Sequence, residues 1–162
     1  MRWVIIMRFI SPTRGPMDFD AMFADIVSYI QDIPEASYKL IIGTDSQMAE
    51  EVCFVTAIVV HRKGKGGRYY YSRERERINR SLRQRIFYET SRSLQLASQL
   101  AARLAENGHA DLDVEIHCDV GVNGQTKDLI REVVGMVVGS GFDARIKPDS
   151  YGASKVADKY TK

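Results

Sequence analysis

The stretch Ile41-Ile-Gly-Thr-Asp-Ser-Gln47 begins as an apolar, strand-forming run and ends in a carboxylate between small polar side chains. A charge at the end of an apolar strand costs free energy unless it has partners. Gly43 allows a close backbone approach, and Ser46 adds a hydrogen-bond donor. The stretch predicts a buried strand whose end presents Asp45 either as a ligand or as a turn cap, and the ligand interpretation is favoured.

Asp119 repeats this pattern at the end of the run Val114-Glu-Ile-His-Cys-Asp119. We expect this strand to lie parallel and next to the strand that ends at Asp45. The carboxyl ends of parallel strands are where open α/β sheets form ligand sites. Two carboxylates a few ångströms apart repel each other, so the pair predicts a bound cation or a shared proton.

The rest of the chain alternates helices and strands within 162 residues, the length of one ordinary domain. Helical spacing and caps predict helices at residues 18–33, 82–107 and 126–138, and a last short one from Ser150 to Tyr160. Apolar runs predict strands at residues 38–47, 52–61, 68–72, 112–119 and 142–147.

This order predicts an α/β fold with a mixed five-stranded sheet, in which hairpin strands are followed by parallel strands and helices cover both faces. Residues 1–37 are expected to form an N-terminal extension that carries one helix and packs on a domain of residues 38–162. The short apolar segment at residues 1–10 is interrupted by Arg8, so a strand or edge segment is favoured over a leader or a membrane span.

Two further carboxylates fall on predicted helices. Glu89 shares a helix face with Ile86 and Ser93, where it is either an edge residue or points into a site above the sheet. Asp158 lies in the last helix, three residues after Lys155, which could be its ion-pair partner. Four such carboxylates could form an oxygen-rich site for two Mg²⁺ or Mn²⁺ ions, the arrangement that hydrolyses phosphodiesters.

This placement of acids resembles the RNase H-like superfamily. Three segments resemble more narrowly the YkuK-type branch of predicted RNase H-like nucleases: Ile42-Gly-Thr-Asp-Ser-Gln47, Leu82-Arg-Gln-Arg-Ile-Phe-Tyr-Glu-Thr90 and Lys147-Pro-Asp-Ser-Tyr-Gly-Ala-Ser-Lys-Val-Ala-Asp158. The resemblance implies an RNase H-like fold and a metal-dependent nuclease site with two Mg²⁺ or Mn²⁺ ions. Its catalytic and metal-binding residues would be Asp45, Glu89, Asp119 and Asp158.

The chain departs from many ribonucleases H because no histidine precedes the last helix as a general base, which puts an RNA–DNA hybrid substrate in doubt. Asp149 competes with Asp158 as the fourth carboxylate. His117 shares a strand face with Asp119, and a packed neutral histidine is favoured over a ligand. Cys53 and Cys118 are expected to be small buried residues, which fits a reducing cytoplasm.

Basic residues concentrate between His61 and Arg85. This segment contains ten lysines and arginines but only two glutamates, although the whole chain has a net charge of only +2. Such a segment is either a polyanion footprint or a solvated hairpin and helix start. The candidate nucleic-acid contacts are Arg68, Arg83, Arg85, Ser46 and Gln47. The aromatic run Tyr69-Tyr-Tyr71 could stack on bases, although at least one of its rings should face the core.

The sequence therefore favours a cytoplasmic, metal-dependent nuclease with a nucleic-acid partner and no membrane association. Two alternatives stay open. The first is a non-catalytic nucleic-acid or protein-binding module on the same fold, which would bind polynucleotide without metal. The second is an enzyme that acts on a small phosphorylated molecule. The sequence leaves open the choice among RNA, DNA, hybrid and junction substrates, and also the oligomeric state.

Overall fold

A computed structural model describes residues 7–77, 81–150, 152 and 160. Its elements in chain order are β1 (Arg8–Ser11), β2 (Gly15–Asp18), α1 (Phe19–Asp32), β3 (Tyr38–Gln47), β4 (Val52–Arg62), β5 (Gly67–Glu76), α2 (Leu82–Glu106), β6 (Asp113–His117), a 3₁₀ turn (Lys127–Leu129), α3 (Ile130–Gly139) and β7 (Asp143–Arg145).

The seven strands form one mixed sheet in the order β2-β1-β5-β4-β3-β6-β7. Strands β3, β4 and β5 are antiparallel neighbours, whereas β6 lies parallel to β3 and β7 lies parallel to β6. The predicted mixed sheet, with hairpin strands before parallel ones, is confirmed, but the predicted count of five strands is wrong.

The two additional strands form an N-terminal hairpin, of which the sequence indicated only a strand or edge segment within residues 1–10. Strands β1 and β2 have four residues each, and β1 joins the sheet where Ile10 pairs with Tyr71 of β5. Such short strands, one of them containing Pro16, give almost no alternation to detect. Gly15 follows the turn with a positive φ of 77°, a conformation that side chains disfavour.

Helices α1, α2 and α3 pack on one side of the sheet, here called the helical face. Their buried residues, among them Met22, Ile26, Leu100 and Val133, share one apolar core with alternate residues of β3 such as Ile42. The N-terminal helix begins at the cap Asp18, whose side chain accepts a hydrogen bond from the Ala21 N–H at 2.8 Å. The described part of residues 1–37 thus contributes to the same sheet and core as the rest.

The opposite side, here called the second face, has a smaller apolar cluster that includes Ile41, Val55 and Tyr71. Two described residues of the C-terminal segment, Gly152 and Tyr160, are helical and contact this face. The Tyr160 ring stacks on Tyr71 with 3.7 Å between centroids. The predicted last helix, Ser150 to Tyr160, otherwise lies outside the described residues, so a helix on the second face stays a prediction.

Strand β5 is longer than the sequence indicated, because it continues through the charged run Arg73-Glu-Arg-Glu76. Alternation in a strand sends Arg73 and Arg75 to the second face and both glutamates to the helical face. There Arg92 of α2 pairs with Glu74 and lies 3.9 Å from Glu76. These pairs across the layers stabilise a strand end that would otherwise be too charged to pack.

Among the described helices, none has both the length and the apolar character needed to cross a bilayer.

Candidate metal site

Register places two carboxylates side by side at the end of the sheet. Strand β6 ends at His117, which pairs with Gly43 of β3, and Asp119 follows two residues later, as Asp45 follows Gly43. Asp119 therefore lies just beyond the strand rather than inside it. Asp45, Glu89 and Asp119 each offer a carboxylate oxygen, and these three oxygens all lie within 4.8 Å of one another.

Glu89 reaches this site from α2, on the helical face. The helix begins at the cap Ser81, which accepts a hydrogen bond from the Gln84 N–H at 3.2 Å. Glu89 lies two turns further along and is only 5% exposed, in the same buried stripe as Ile86 and Ser93. The structure thus favours the site interpretation of Glu89 over the edge-residue interpretation.

A hydrogen-bonded chain fixes the Glu89 carboxylate. The Ser46 hydroxyl donates a short hydrogen bond to Glu89. Arg85, one turn before Glu89, donates from Nε to the Ser46 hydroxyl at 3.1 Å and from Nη2 to the Ser46 carbonyl at 3.0 Å. Because the guanidinium grips both groups of Ser46, the hydroxyl is oriented and its proton is directed at Glu89.

The surroundings of Glu89 make its negative charge electrostatically unfavourable. Burial raises the pKa of Glu89 well above its usual value, and the neighbouring charges of Asp45 and Asp119 raise it further. The Ser46 hydrogen bond and the charge of Arg85 oppose this rise without cancelling it. Three carboxylates in this geometry are stabilised either by a proton on Glu89 or by an added cation.

Lys147, which the sequence analysis did not single out, provides a positively charged ammonium group beside Asp119. Its Nζ lies 2.8 Å from Asp119 Oδ1, and this contact raises the pKa of Lys147. The Lys147 N–H also donates to the Val120 carbonyl at 2.9 Å. A Cβ at Gly121 would lie 3.0 Å from the Lys147 Cβ, so glycine leaves room for the lysine stem. The available signal was the position of Lys147 as the last residue of the predicted strand 142–147.

The residues present fit a hard divalent cation. The cluster offers carboxylate oxygens alone, the ligands that Mg²⁺ and Mn²⁺ prefer. Asp149 is exposed in the loop after β7 and is not part of the described cluster. Asp158, the predicted fourth ligand, lies outside the described residues.

The residues predicted to contact nucleic acid lie in different places. Ser46 and Arg85 take part in the hydrogen bonds that orient Glu89, and Gln47 is exposed at the end of β3. Arg83 forms an ion pair with Glu132 at 2.8 Å.

Arg68 lies far from the carboxylates. It pairs with Val60, which pairs with Leu40, five residues before Asp45 and hence about 17 Å along the strand. Its guanidinium lies on the helical face and contacts Asp25 at 3.2 Å. The structure therefore brings Ser46 and Arg85 to the site, whereas Gln47 lies two residues beyond Asp45 on β3 and Arg68 lies far away.

The other residues considered in the sequence analysis have neighbours that indicate a structural role. Burial lowers the pKa of His117, whose Nε2 lies 3.2 Å from Glu115, and this agrees with a packed neutral ring. Burial raises the pKa of the Cys118 thiol to about 12, which argues against a thiolate nucleophile. Tyr70 is fully buried in the main core, whereas Tyr71 lies on the second face.

Comparison with known proteins agrees with this arrangement. The model of the Ribonuclease H-like family matches residues 21–162. The chain is 35% identical over 173 aligned positions to the uncharacterized protein YkuK of Bacillus subtilis (strain 168), an alignment that covers 95% of this chain and 96% of that protein. No solved structure matches the chain significantly. The matched family and the full-length relative together show that this chain belongs to the Ribonuclease H-like family.

Proposed function

We propose that this protein is a metal-dependent nuclease that hydrolyses nucleic-acid phosphodiester bonds. The convergence of Asp45, Glu89 and Asp119, with oxygens within 4.8 Å of one another, is the observation that carries the proposal. Such a cluster of like charges at the end of parallel strands is unfavourable without a cation, and membership of the Ribonuclease H-like family supports a nuclease. Two bound Mg²⁺ or Mn²⁺ ions would activate water and stabilise the leaving oxygen.

The chain's own residues have distinct tasks in this proposal. Asp45 and Asp119, both partly exposed, face the substrate side and hold the cations. Glu89 approaches the cations from the helical face, with its carboxylate oriented by Ser46 and Arg85. Asp158 completes the ligand set near the attacking water. Ser46, Gln47, Arg83 and Arg85 remain the proposed polynucleotide contacts, and RNA, DNA and hybrids are all substrates to test.

The first test is a crystal soak in Mn²⁺, with the ions located by anomalous scattering and their affinity measured by calorimetry. We expect ions bound to Asp45, Glu89 and Asp119, about 4 Å apart where two are present. In Asp119→Asn the affinity should fall at least about tenfold, because a ligand charge is lost. Asp113→Asn is the matched control, since Asp113 is exposed at the opposite end of the same strand. If crystals soaked in millimolar Mn²⁺ show no ion bound to these carboxylates, the proposed metal site is refuted.

Cleavage is then measured on labelled RNA, DNA and hybrid strands with Mg²⁺ or Mn²⁺. We expect hydrolysis that chelation stops and that Asp45→Asn abolishes. The competing possibility is a non-catalytic binding module on the same fold, and it makes the opposite prediction. Polynucleotide binding without cleavage, unchanged by chelation and by Asp45→Asn, would support that module and overturn the nuclease.

A further inference from the structure

Asp45 and Asp119 lie in a row of charges that runs across the sheet on its second face. Asp45 pairs with Val55 of β4, and Val55 pairs with Arg73 of β5. On the other side Asp119 follows His117, whose partner on β7 is Arg145, and Lys147 follows Arg145 by the same two residues. The contact between Lys147 and Asp119 at 2.8 Å confirms that this end of the row is continuous. The acidic pair thus has one cation on each side.

Spacing in the sheet fixes the distances along this row. Neighbouring strands lie about 4.8 Å apart, so the backbone of Arg73 is about 10 Å from that of Asp45, and that of Lys147 about 5 Å from that of Asp119. Both side chains are long enough to approach phosphates next to a phosphodiester held at the carboxylates.

Arg73 is held in position but keeps donors for a ligand. Its Nε and Nη2 donate to the Tyr160 carbonyl at 3.0 and 2.7 Å, which orders the side chain on the second face. A guanidinium has five N–H donors, so three of them stay available for an anion. An ordered arginine fork loses little entropy when it binds a phosphate, which favours it over a flexible lysine.

Arg75 extends the positive charge one step along β5. It lies on the same face as Arg73, in the row formed by Gln47 and Cys53. Together with Glu50 and Glu51, these four residues line an open cavity of about 370 Å³. Glu51 is paired with Arg77 at 3.3 Å, and Arg92 pairs with Glu74 on the helical face. The arginines are therefore separated from Glu74 and Glu76, the charges that oppose them in the sequence, although Glu50 and Glu51 line the same cavity.

We propose that Arg73, Arg75 and Lys147 bind the phosphodiester backbone of the substrate strand, so that this strand crosses the sheet ends from β5 towards β7 with the scissile phosphate at Asp45 and Asp119. This inference rests on the proposed nuclease function and adds the path of the substrate. It replaces Arg68 as the basic contact on the hairpin, because Arg68 lies on the helical face and is engaged by Asp25.

The test measures, by fluorescence anisotropy, the binding of labelled single-stranded RNA, single-stranded DNA, duplex DNA and hybrid. The KCl concentration is varied between about 25 and 200 mM, a range over which polynucleotide affinity depends strongly on salt. All variants are made on an Asp45→Asn background so that strands stay intact. Arg73→Ala, Arg75→Ala and Lys147→Ala are compared with Lys65→Ala. Lys65 is an exposed cation in the turn at the far end of the same hairpin, and thermal melting checks that each variant is folded.

We expect each of the three variants to bind about five- to tenfold more weakly and to lower the slope of log affinity against log salt by about one, because each loses a phosphate contact. Lys65→Ala should leave both quantities unchanged. Arg73→Lys should restore the slope, since the charge returns.

If folded Arg73→Ala and Lys147→Ala behave like Lys65→Ala, the proposed path is wrong even when the unmodified enzyme cleaves nucleic acid. If the Asp45→Asn protein binds none of the four polynucleotides, the path is also overturned. Cleavage by the unmodified protein then decides the nuclease function separately.

Discussion

Asp25 and Glu89 are both buried carboxylates, each 5% exposed, yet their surroundings are opposite. Asp25 is met by Arg14 at 3.3 Å, by Arg68 at 3.2 Å and by the Tyr70 hydroxyl. Glu89 has Ser46 and Arg85, but it also faces Asp45 and Asp119. The carboxylate of Asp25 is compensated within the fold, whereas that of Glu89 lacks compensation until a proton or metal arrives. The difference separates a charge that stabilises the fold from one that serves a site.

Exchange of each carboxylate for its amide should separate the two regions most strongly in metal binding. We expect Glu89→Gln to weaken Mn²⁺ binding by about a hundredfold, because a buried ligand charge is removed. Asp25→Asn should leave the affinity unchanged, since Asp25 lies on α1 and contacts Arg68 of β5 rather than the site. Calorimetric titration of both variants checks this, and equal losses in the two would contradict the comparison.

Stability should change in the opposite sense. We expect Asp25→Asn to lower the free energy of unfolding by about 2 kcal/mol, because Arg68 and the buried Tyr70 hydroxyl lose a charged partner. Glu89→Gln should make the metal-free protein more stable at neutral pH, since an unfavourable buried charge disappears. Urea unfolding in the presence of a chelator measures both, and a Glu89→Gln variant that is less stable would show that Glu89 is compensated like Asp25.

The raised pKa of Glu89 also predicts a dependence on pH. A carboxyl whose pKa is higher in the folded state binds more protons there, so stability of the metal-free protein should fall as pH rises from about 4.5 through the raised pKa. A metal must displace this proton, so Mn²⁺ affinity should increase with pH over the same interval, by up to about tenfold per pH unit. Titrations at several pH values check both trends, and Glu89→Gln should flatten them.

The smallest effect is expected at Lys147. Its ammonium competes with a divalent ion for Asp119, so Lys147→Met should raise Mn²⁺ affinity by about threefold in the absence of nucleic acid. The lysine side chain is 58% exposed, and solvent screening keeps the gain modest. Lys39→Met is a suitable control, because Lys39 pairs with Glu115 at 2.8 Å near the other end of the sheet. Equal gains in both variants would point to a general charge effect.

Much of the fold could be predicted because it depends on long periodic segments. The start of α2 at Leu82 and the bounds of β3 follow from apolar spacing and from the residues that cap or end each element. A strand or edge segment near β1 was expected, but β2 and its pairing with β1 could not be predicted, because four-residue strands carry too little pattern. The extension of β5 through Arg73-Glu-Arg-Glu76 was missed for another reason, since it depends on Arg92 from a distant helix.

The candidate site divides in the same way. Asp45 and Asp119 were found from charges that end apolar runs, which is local information. Lys147 and the part of Ser46 in orienting Glu89 could not be found so, because they depend on contacts between segments many residues apart. The choice among the basic residues also needed the fold, which engages Arg68 with Asp25 and directs Arg73 towards the second face.

Local sequence patterns were enough to predict the mixed α/β architecture and the strand ends where two carboxylates occur, because periodicity and interrupted apolar runs are properties of neighbouring residues. Tertiary packing was needed to bring Glu89 to Asp45 and Asp119, with oxygens within 4.8 Å of one another, and to place Lys147 beside Asp119. Interactions between charges depend on distance and burial, which register and helix packing set and which no local pattern encodes.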